Sequence, residues 1–119
     1  MHEIGLVDDI LYTINSRIKD LRTSKVKGIN ILIGELEHIT PEHFEFHFRE
    51  RTIGTPLGDA KLNFKKIGAR FRCKDCNREF SAEEGMMGCP ACKSKVSDIV
   101  SGSGIYVEFI DITEIKTRH

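Results

Sequence analysis

The chain has 119 residues, enough for one domain or for a small core carrying a smaller module. Lys and Arg number 18, as do Asp and Glu, so the formal charge is zero. That balance argues against a protein held to nucleic acid mainly by phosphate contacts, and against a polybasic membrane anchor. Hydrophobic residues at 39% and charged residues at 30% fit a folded domain rather than a disordered one, and with no Trp the core must be mostly aliphatic.

From Ile4 to Leu21, apolar residues fall at Ile4, Val7, Ile10, Leu11, Ile14, Ile18 and Leu21. These three- and four-residue steps predict an amphipathic helix, with Asp8 and Asp9 early and Lys19 and Arg22 late, as the helix dipole favours. Lys25 to Leu36 holds Val26, Ile29, Ile31 and Ile33 with no helical stripe, and predicts a buried strand. Thr40-Pro41-Glu42 is a helix start: a capping hydroxyl, a proline at the first helical position and an acid in the first turn. This second helix runs to about Thr52 with Phe44 and Phe48 on its buried face, and Gly54, Pro56 and Gly58 mark the loop after it. Alternation at Leu62 and Phe64 predicts one strand over Ala60 to Phe71, and Ile105, Val107, Phe109 and Ile112 predict a last strand. Residues 72–102 show no long periodic stretch.

The predicted fold class is α+β: two helices packed on a small mixed sheet, with a four-cysteine zinc-ribbon-like module inserted before the last strand. The expected domains are residues 1–71 with 103–119, and the module at 72–102. The opening Met1-His2-Glu3-Ile4-Gly5 is not a Lys/Arg-led signal peptide, and no run reaches the ~18 apolar residues of a membrane helix. A cytoplasmic protein with no membrane partner is expected. In a reducing compartment, clustered cysteines favour metal over disulfides.

The cysteines form two C-x2-C pairs, Cys73/Cys76 and Cys89/Cys92, separated by residues 77–88. Two residues between sulfurs let one tight turn aim both thiolates at one ion, and two such turns supply four tetrahedral corners. The spacing points to a closed structural Zn²⁺ site. Iron with four thiolate ligands uses similar turns, and a redox dithiol needs only one of the pairs. Four cysteine ligands leave no open position for a reacting water, so the site does not imply an enzyme.

At the N-terminus, His2 offers an imidazole and its own amide nitrogen, and the Met1 amine closes a second ring. Such nitrogen-rich sets suit Ni(II) or Cu(II) better than Zn²⁺, and Glu3 adds an amide nitrogen or an oxygen. These residues acquire weight from the rest of the chain. Met1-His2-Glu3, Ile33-Gly34-Glu35-Leu36, Thr40-Pro41-Glu42, the Phe44-x-Phe46-x-Phe48 run, Gly54-Thr55-Pro56-Leu57, Ala60-x-Leu62 and the C-x2-C…C-P-x-C module occur in that order. Together they resemble the HypA/HybF family of nickel metallochaperones of [NiFe]-hydrogenase maturation.

The resemblance implies Ni(II) as transported cargo, bound at His2 with Glu3 beside it, and structural Zn(II) on Cys73, Cys76, Cys89 and Cys92. It implies a HypB-type GTPase partner, delivery to the [NiFe]-hydrogenase large subunit and, in some organisms, support of urease; it implies no catalysis. The chain departs from the family pattern in three places. Asn77 and Lys93 stand where Gly often follows each cysteine pair. Gly102-Ser103-Gly104-Ile105 replaces a Gly-x-Glu-Leu run, and no His lies between residues 48 and 118 to act as an accessory ligand. Asn tolerates the left-handed conformation that Gly supplies, and Lys does so less readily.

The remaining titratable groups read as surface. His43 and His47 are four apart on the second helix, and with His38 they lack an obvious third ligand. Glu45/Glu50 and Glu83/Glu84 read as solvated charge. There is no P-loop, G-x-G-x-x-G or nucleophile elbow, so GTP chemistry belongs to a partner. The alternative function is a zinc-ribbon interaction module docking on nucleic acid or a transcription complex. It accounts for the cysteines but not for Met1-His2-Glu3. Charges around the pairs are mixed (Lys74, Arg78, Lys93 and Lys95 beside Asp75, Glu79, Glu83 and Glu84), so no nucleic-acid partner is expected.

Overall fold

The computed structural model describes residues 3–18 and 24–114. The chain runs α1 (Glu3–Arg17), β1 (Ser24–Gly34), α2 (Pro41–Thr52), β2 (Lys61–Ile67), β3 (Arg70–Cys73), β4 (Glu79–Ser81), β5 (Ser97–Ser101) and β6 (Ile105–Glu114). The α+β class is as expected, with two helices, but there are two three-stranded sheets, ordered β2-β1-β6 and β4-β3-β5. The described residues fall into two compact units. One lies within Met1–Leu32, Ile39–Lys65 and Ile105–His119; the other comprises Ile33–His38 and Lys66–Gly104.

In the first unit the helix stripe is core: Val7, Ile10, Ile14 and Ile18 are buried, joined by Leu6. The helical ladder extends to Ile18, whose N–H donates to the Ile14 carbonyl at 3.1 Å. The predicted continuation to Leu21 lies outside the described residues. Arg17 donates to the Val107 carbonyl at 3.0 Å, fixing the end of α1 to β6. β1 is the central strand, and Ile29 and Ile31 are fully buried.

The second helix starts as its sequence dictates. Thr40 is extended, its hydroxyl accepts from the His43 N–H at 3.1 Å, and Pro41 needs no partner for a missing N–H. Phe44 and Phe48 are fully buried, with ring centres 6.1 Å apart, and Phe64 of β2 meets Phe44 edge-on at 5.7 Å. Phe46 points the other way and is exposed. Thr52 is the one buried polar side chain among the described residues; its hydroxyl donates to the Phe48 carbonyl at 2.8 Å. Gly54, at φ +76°, reverses the chain, and the Thr55 hydroxyl donates to the Thr52 carbonyl at 2.7 Å. The Gly-Thr-Pro-Leu run is thus a tight closure that buries Leu57.

Two predicted strands differ from the structure. The single strand expected over Ala60–Phe71 is two, β2 and β3, in different sheets. Gly68 and Ala69 interrupt it because their backbone is used elsewhere. The Ala69 N–H donates to a Glu35 carboxylate oxygen at 2.6 Å, and the Gly68 carbonyl accepts from the Ser101 hydroxyl at 3.1 Å. β1 stops at Gly34 rather than Leu36, since the Glu37 N–H turns back to the Gly34 carbonyl at 3.0 Å.

Candidate metal centre

The centre lies in the second unit, on the antiparallel sheet β4-β3-β5. Arg70 to Arg72 pair with Glu79 to Ser81 on one side, and β5 pairs along the other with a register shift between Arg70 and Phe71. Cys73 ends β3. Its N–H donates to the Arg78 carbonyl at 2.9 Å, and its carbonyl accepts from the Asn77 N–H at 2.9 Å. The second pair repeats this pattern: the Cys89 N–H donates to the Ser94 carbonyl at 2.8 Å, and the Cys89 carbonyl accepts from the Lys93 N–H at 2.9 Å. Both loops close through a left-handed residue, Asn77 at φ 64° and Lys93 at φ 66°. The substitutions for glycine therefore keep the glycine conformation. The two loops are joined by a 3.0 Å bond from the Lys74 N–H to the Val96 carbonyl.

These turns bring four sulfurs together. Cys73 and Cys92 lie 3.5 Å apart, Cys76 and Cys89 3.6 Å, and all four fall within 4.8 Å of one another. A disulfide would bring sulfurs to about 2.05 Å, and all four thiols are free. Four sulfurs each about 2.3 Å from one tetrahedral ion lie roughly 3.8 Å apart, so the donor set fits such an ion. The arrangement is a metal-binding cluster. The first cysteine of each pair is buried, packed with Phe80 and flanked by Phe71, while Cys76 and Cys92 are exposed.

The electrostatics show why the cluster suits a cation. The Cys92 N–H donates to the Cys89 sulfur and pulls its pKa from 9.0 to about 6, against desolvation; the Cys76 N–H lowers Cys73 in the same way. On Cys92 the Ser94 N–H favours the thiolate, but the Cys73 thiol, desolvation, Cys76 and Cys89 outweigh it and push the pKa up to about 12. On Cys76 the Arg78 N–H favours the thiolate, yet desolvation and the Cys89 and Cys73 sulfurs raise the pKa. Sulfurs this close share protons because adjacent thiolates repel. A dication among them removes that conflict and lets all four ionise.

The other predicted site residues stand apart from this cluster. Met1 and His2 lie outside the described residues; Glu3 begins α1, and its side chain is likewise outside them. His38 and His43 are exposed and His47 is half-buried. Among the described residues the four cysteines are the one group of three or more ligands able to share an ion. Glu84, predicted as surface charge, belongs to a capping pair: its carboxylate accepts from the Ser81 N–H at 2.9 Å, and the Ser81 hydroxyl accepts from the Glu84 N–H at 3.2 Å. Those bonds hold its pKa below the ordinary value. The signal, Ser81-x-x-Glu84, was visible in the sequence.

Two positioning residues were missed. Glu35 receives the Ala69 N–H, and a Glu37 carboxylate oxygen receives the Gly104 N–H at 2.7 Å. They grip the backbone leading into and out of the cysteine sheet. Gly34 and Leu36 N–H groups add bonds of 2.9 Å to the Gly104 and Gly102 carbonyls.

Residues 1–112 match the family model described as hydrogenase/urease nickel incorporation, metallochaperone, hypA. Proteins named hydrogenase maturation factor HypA are similar over almost their whole length. The one from Desulfatibacillum aliphaticivorans is 34% identical over 115 residues, covering 96% of this chain and 88% of that protein. The one from Moorella thermoacetica is 30% identical over 111 residues, covering 93% and 98%. Among solved structures, the solution structure of the Ni metallochaperone HypA from Helicobacter pylori has a TM-score of 0.73 at 21% identity, covering 98% of this chain and all of that one. At that identity the structural likeness shows the fold alone.

Proposed function

The chain belongs to the HypA family of nickel-incorporation metallochaperones, and on that premise we propose that it binds Ni(II) as cargo at its N-terminus and delivers it for [NiFe]-hydrogenase maturation. The observation that carries this reading is the family match beginning at residue 1, which includes Met1-His2-Glu3. In this reading the His2 imidazole is the indispensable donor, the His2 amide and the Met1 amine close chelate rings on either side of it, and Glu3 contributes from the first turn. The amine and amide must shed protons to bind, so nickel affinity falls as pH falls. A terminal chelate suits a carrier, which must hold and then release its ion.

Cys73, Cys76, Cys89 and Cys92 would hold Zn(II). The sulfur spacing and all-thiolate donor set support a tetrahedral ion without redox chemistry. Zinc supplies fold energy here, since the unit's buried core is little more than Phe80, the two inner cysteines and half-buried Phe71. A HypB-type GTPase and the hydrogenase large subunit are the proposed partners, in the cytoplasm. No helix among the described residues is long and apolar enough to cross a membrane.

The test is a nickel titration of untagged protein by calorimetry, wild type against His2→Ala. Stoichiometric binding in the wild type and its loss in His2→Ala, with zinc content unchanged, is expected. Equal nickel binding by both would remove the assignment. Extending the chain before Met1 replaces the amine by an amide, and an unaltered nickel spectrum would exclude the amine as a donor.

A further inference from the structure

The turn that ends β1 belongs to the cysteine unit. Ile33–His38 and Lys66–Gly104 form one compact unit although they are far apart in sequence. The Glu37 N–H closes the turn on the Gly34 carbonyl at 3.0 Å. From there five hydrogen bonds reach the two roots of the cysteine sheet. Before β3, the Glu35 N–H donates to the Ile67 carbonyl at 2.8 Å, and a Glu35 carboxylate oxygen accepts the Ala69 N–H at 2.6 Å. After β5, the Leu36 and Gly34 N–H groups donate to the Gly102 and Gly104 carbonyls, both at 2.9 Å, and a Glu37 carboxylate oxygen accepts the Gly104 N–H at 2.7 Å. The roots lie close together: a Cβ on Gly102 would collide with the Ala69 backbone. Neither carboxylate has an ion-pair partner among the described residues, so backbone N–H groups are what they hold.

This grip falls where the sheet is weakest. The register shift between Arg70 and Phe71 leaves Val100 of β5 with no residue opposite. A bulge of this kind disrupts the ladder locally. Past it, only Arg70 with Ser101 pairs β3 to β5 at the root. The other end of the same ladder sets the metal ligands. Cys73 ends β3, Cys89 and Cys92 precede β5, and the pairing of Phe71, Arg72 and Cys73 with Ile99, Asp98 and Ser97 lays one cysteine loop beside the other. Fraying at the root therefore shortens the ladder that aligns the two loops, and the unit's small buried core adds little to oppose it.

We propose that Glu35 and Glu37 are positioning residues for the metal centre: a two-carboxylate clamp that closes the root of the cysteine sheet and so tightens retention of the ion held by Cys73, Cys76, Cys89 and Cys92. This rests on the reading of the cluster as a zinc site and uses none of the proposed nickel donors. Neither carboxylate serves as a ligand. The clamp restricts the metal-free unit to conformations in which the two loops already face each other, so less of the zinc binding energy goes into ordering them.

The test sets the zinc-loaded full chain against a chromophoric zinc chelator and reads zinc affinity from the competition, for wild type, Glu35→Ala, Glu37→Ala and both changes together. Glu35 is exposed and Glu37 half-buried, so each Ala should lower zinc affinity by about fivefold, the size of one net hydrogen bond, and the double variant should lose more than either. Glu35→Gln and Glu37→Gln keep an oxygen acceptor and should restore most of the affinity, which a mere loss of negative charge near a cation would not. Hydrogen exchange at the Ala69 and Gly104 amides should quicken in the Ala variants and stay slow in the Gln variants. Where the double variant fails to fold, the single variants decide. Unchanged zinc affinity in both Ala variants, or Gln variants as weak as the Ala variants, would overturn the clamp alone. A wild-type chain that takes up no zinc would overturn the zinc reading and the clamp with it.

Discussion

Replacing Gly34 by Ala should be costly although nothing about its backbone angles requires glycine. Its φ lies outside the left-handed region, so Ala would ordinarily stabilise by about 0.4–1 kcal/mol through the unfolded chain. The surroundings reverse that sign. A Cβ at Gly34 would sit 2.9 Å from the Ser103 nitrogen and closer still to the carbonyl of Gly102, where an ordinary C···O contact needs about 3.3 Å. Those neighbours are backbone atoms and cannot rotate away. The Gly102 carbonyl also accepts the Leu36 N–H at 2.9 Å, so its retreat weakens a bond worth about 1 kcal/mol. Overpacking of this kind costs about 1–3 kcal/mol, which gives a net loss of roughly 1–4 kcal/mol for Gly34→Ala. Urea unfolding of the zinc-loaded protein measures it, with Gly54→Ala as control. Gly54 has φ +76° and nothing near its Cβ position, so it should lose only the conformational cost of about 1–2 kcal/mol. A neutral or stabilised Gly34→Ala would refute the close backbone crossing at Gly102.

Other predictions draw on single features. Phe48→Ala empties a fully buried site against Phe44 and should cost about 3–5 kcal/mol by thermal or urea unfolding. Thr40→Ala removes the hydroxyl that accepts the His43 N–H and should cost about 1 kcal/mol, while Thr40→Ser should retain most of it. In metal-free protein whose amide resonances show the cysteine unit still folded, ultraviolet thiolate absorbance should show a step near pH 6, below the ordinary thiol range, because Cys89 is lowered from 9.0 to about 6. The sign follows: a thiol depressed on folding adds stability that is complete above its unfolded value and is lost as pH falls from about 9 through 6. A single thiol transition near pH 9 would contradict it.

Periodicity made the first unit legible. The α1 stripe at Val7, Ile10, Ile14 and Ile18 is core, and Thr40-Pro41 starts α2 as capping chemistry requires. The strands of the cysteine unit were hidden for a physical reason. β4 is three residues long, and in β5 only Ser101 is even half-buried, so no alternating pattern marks either. The break between β2 and β3 was equally silent, because it is set by a carboxylate, Glu35, 34 residues away in sequence. The four sulfurs were readable from C-x2-C spacing alone, since the loops that aim them are local and each closes on its own backbone. Nothing in the sequence marked Glu35 and Glu37 for this role; only the tertiary fold sets a backbone N–H against each.

The central claim is that nickel and zinc occupy chemically different sites in one chain, nickel on N-terminal nitrogen and oxygen donors and zinc on four thiolates. Nickel-edge X-ray absorption of untagged protein loaded with one equivalent of each metal tests it most directly. The account predicts a nickel shell of nitrogen and oxygen with an imidazole signature that vanishes in His2→Ala; nickel–sulfur scattering from the cysteine cluster would contradict it.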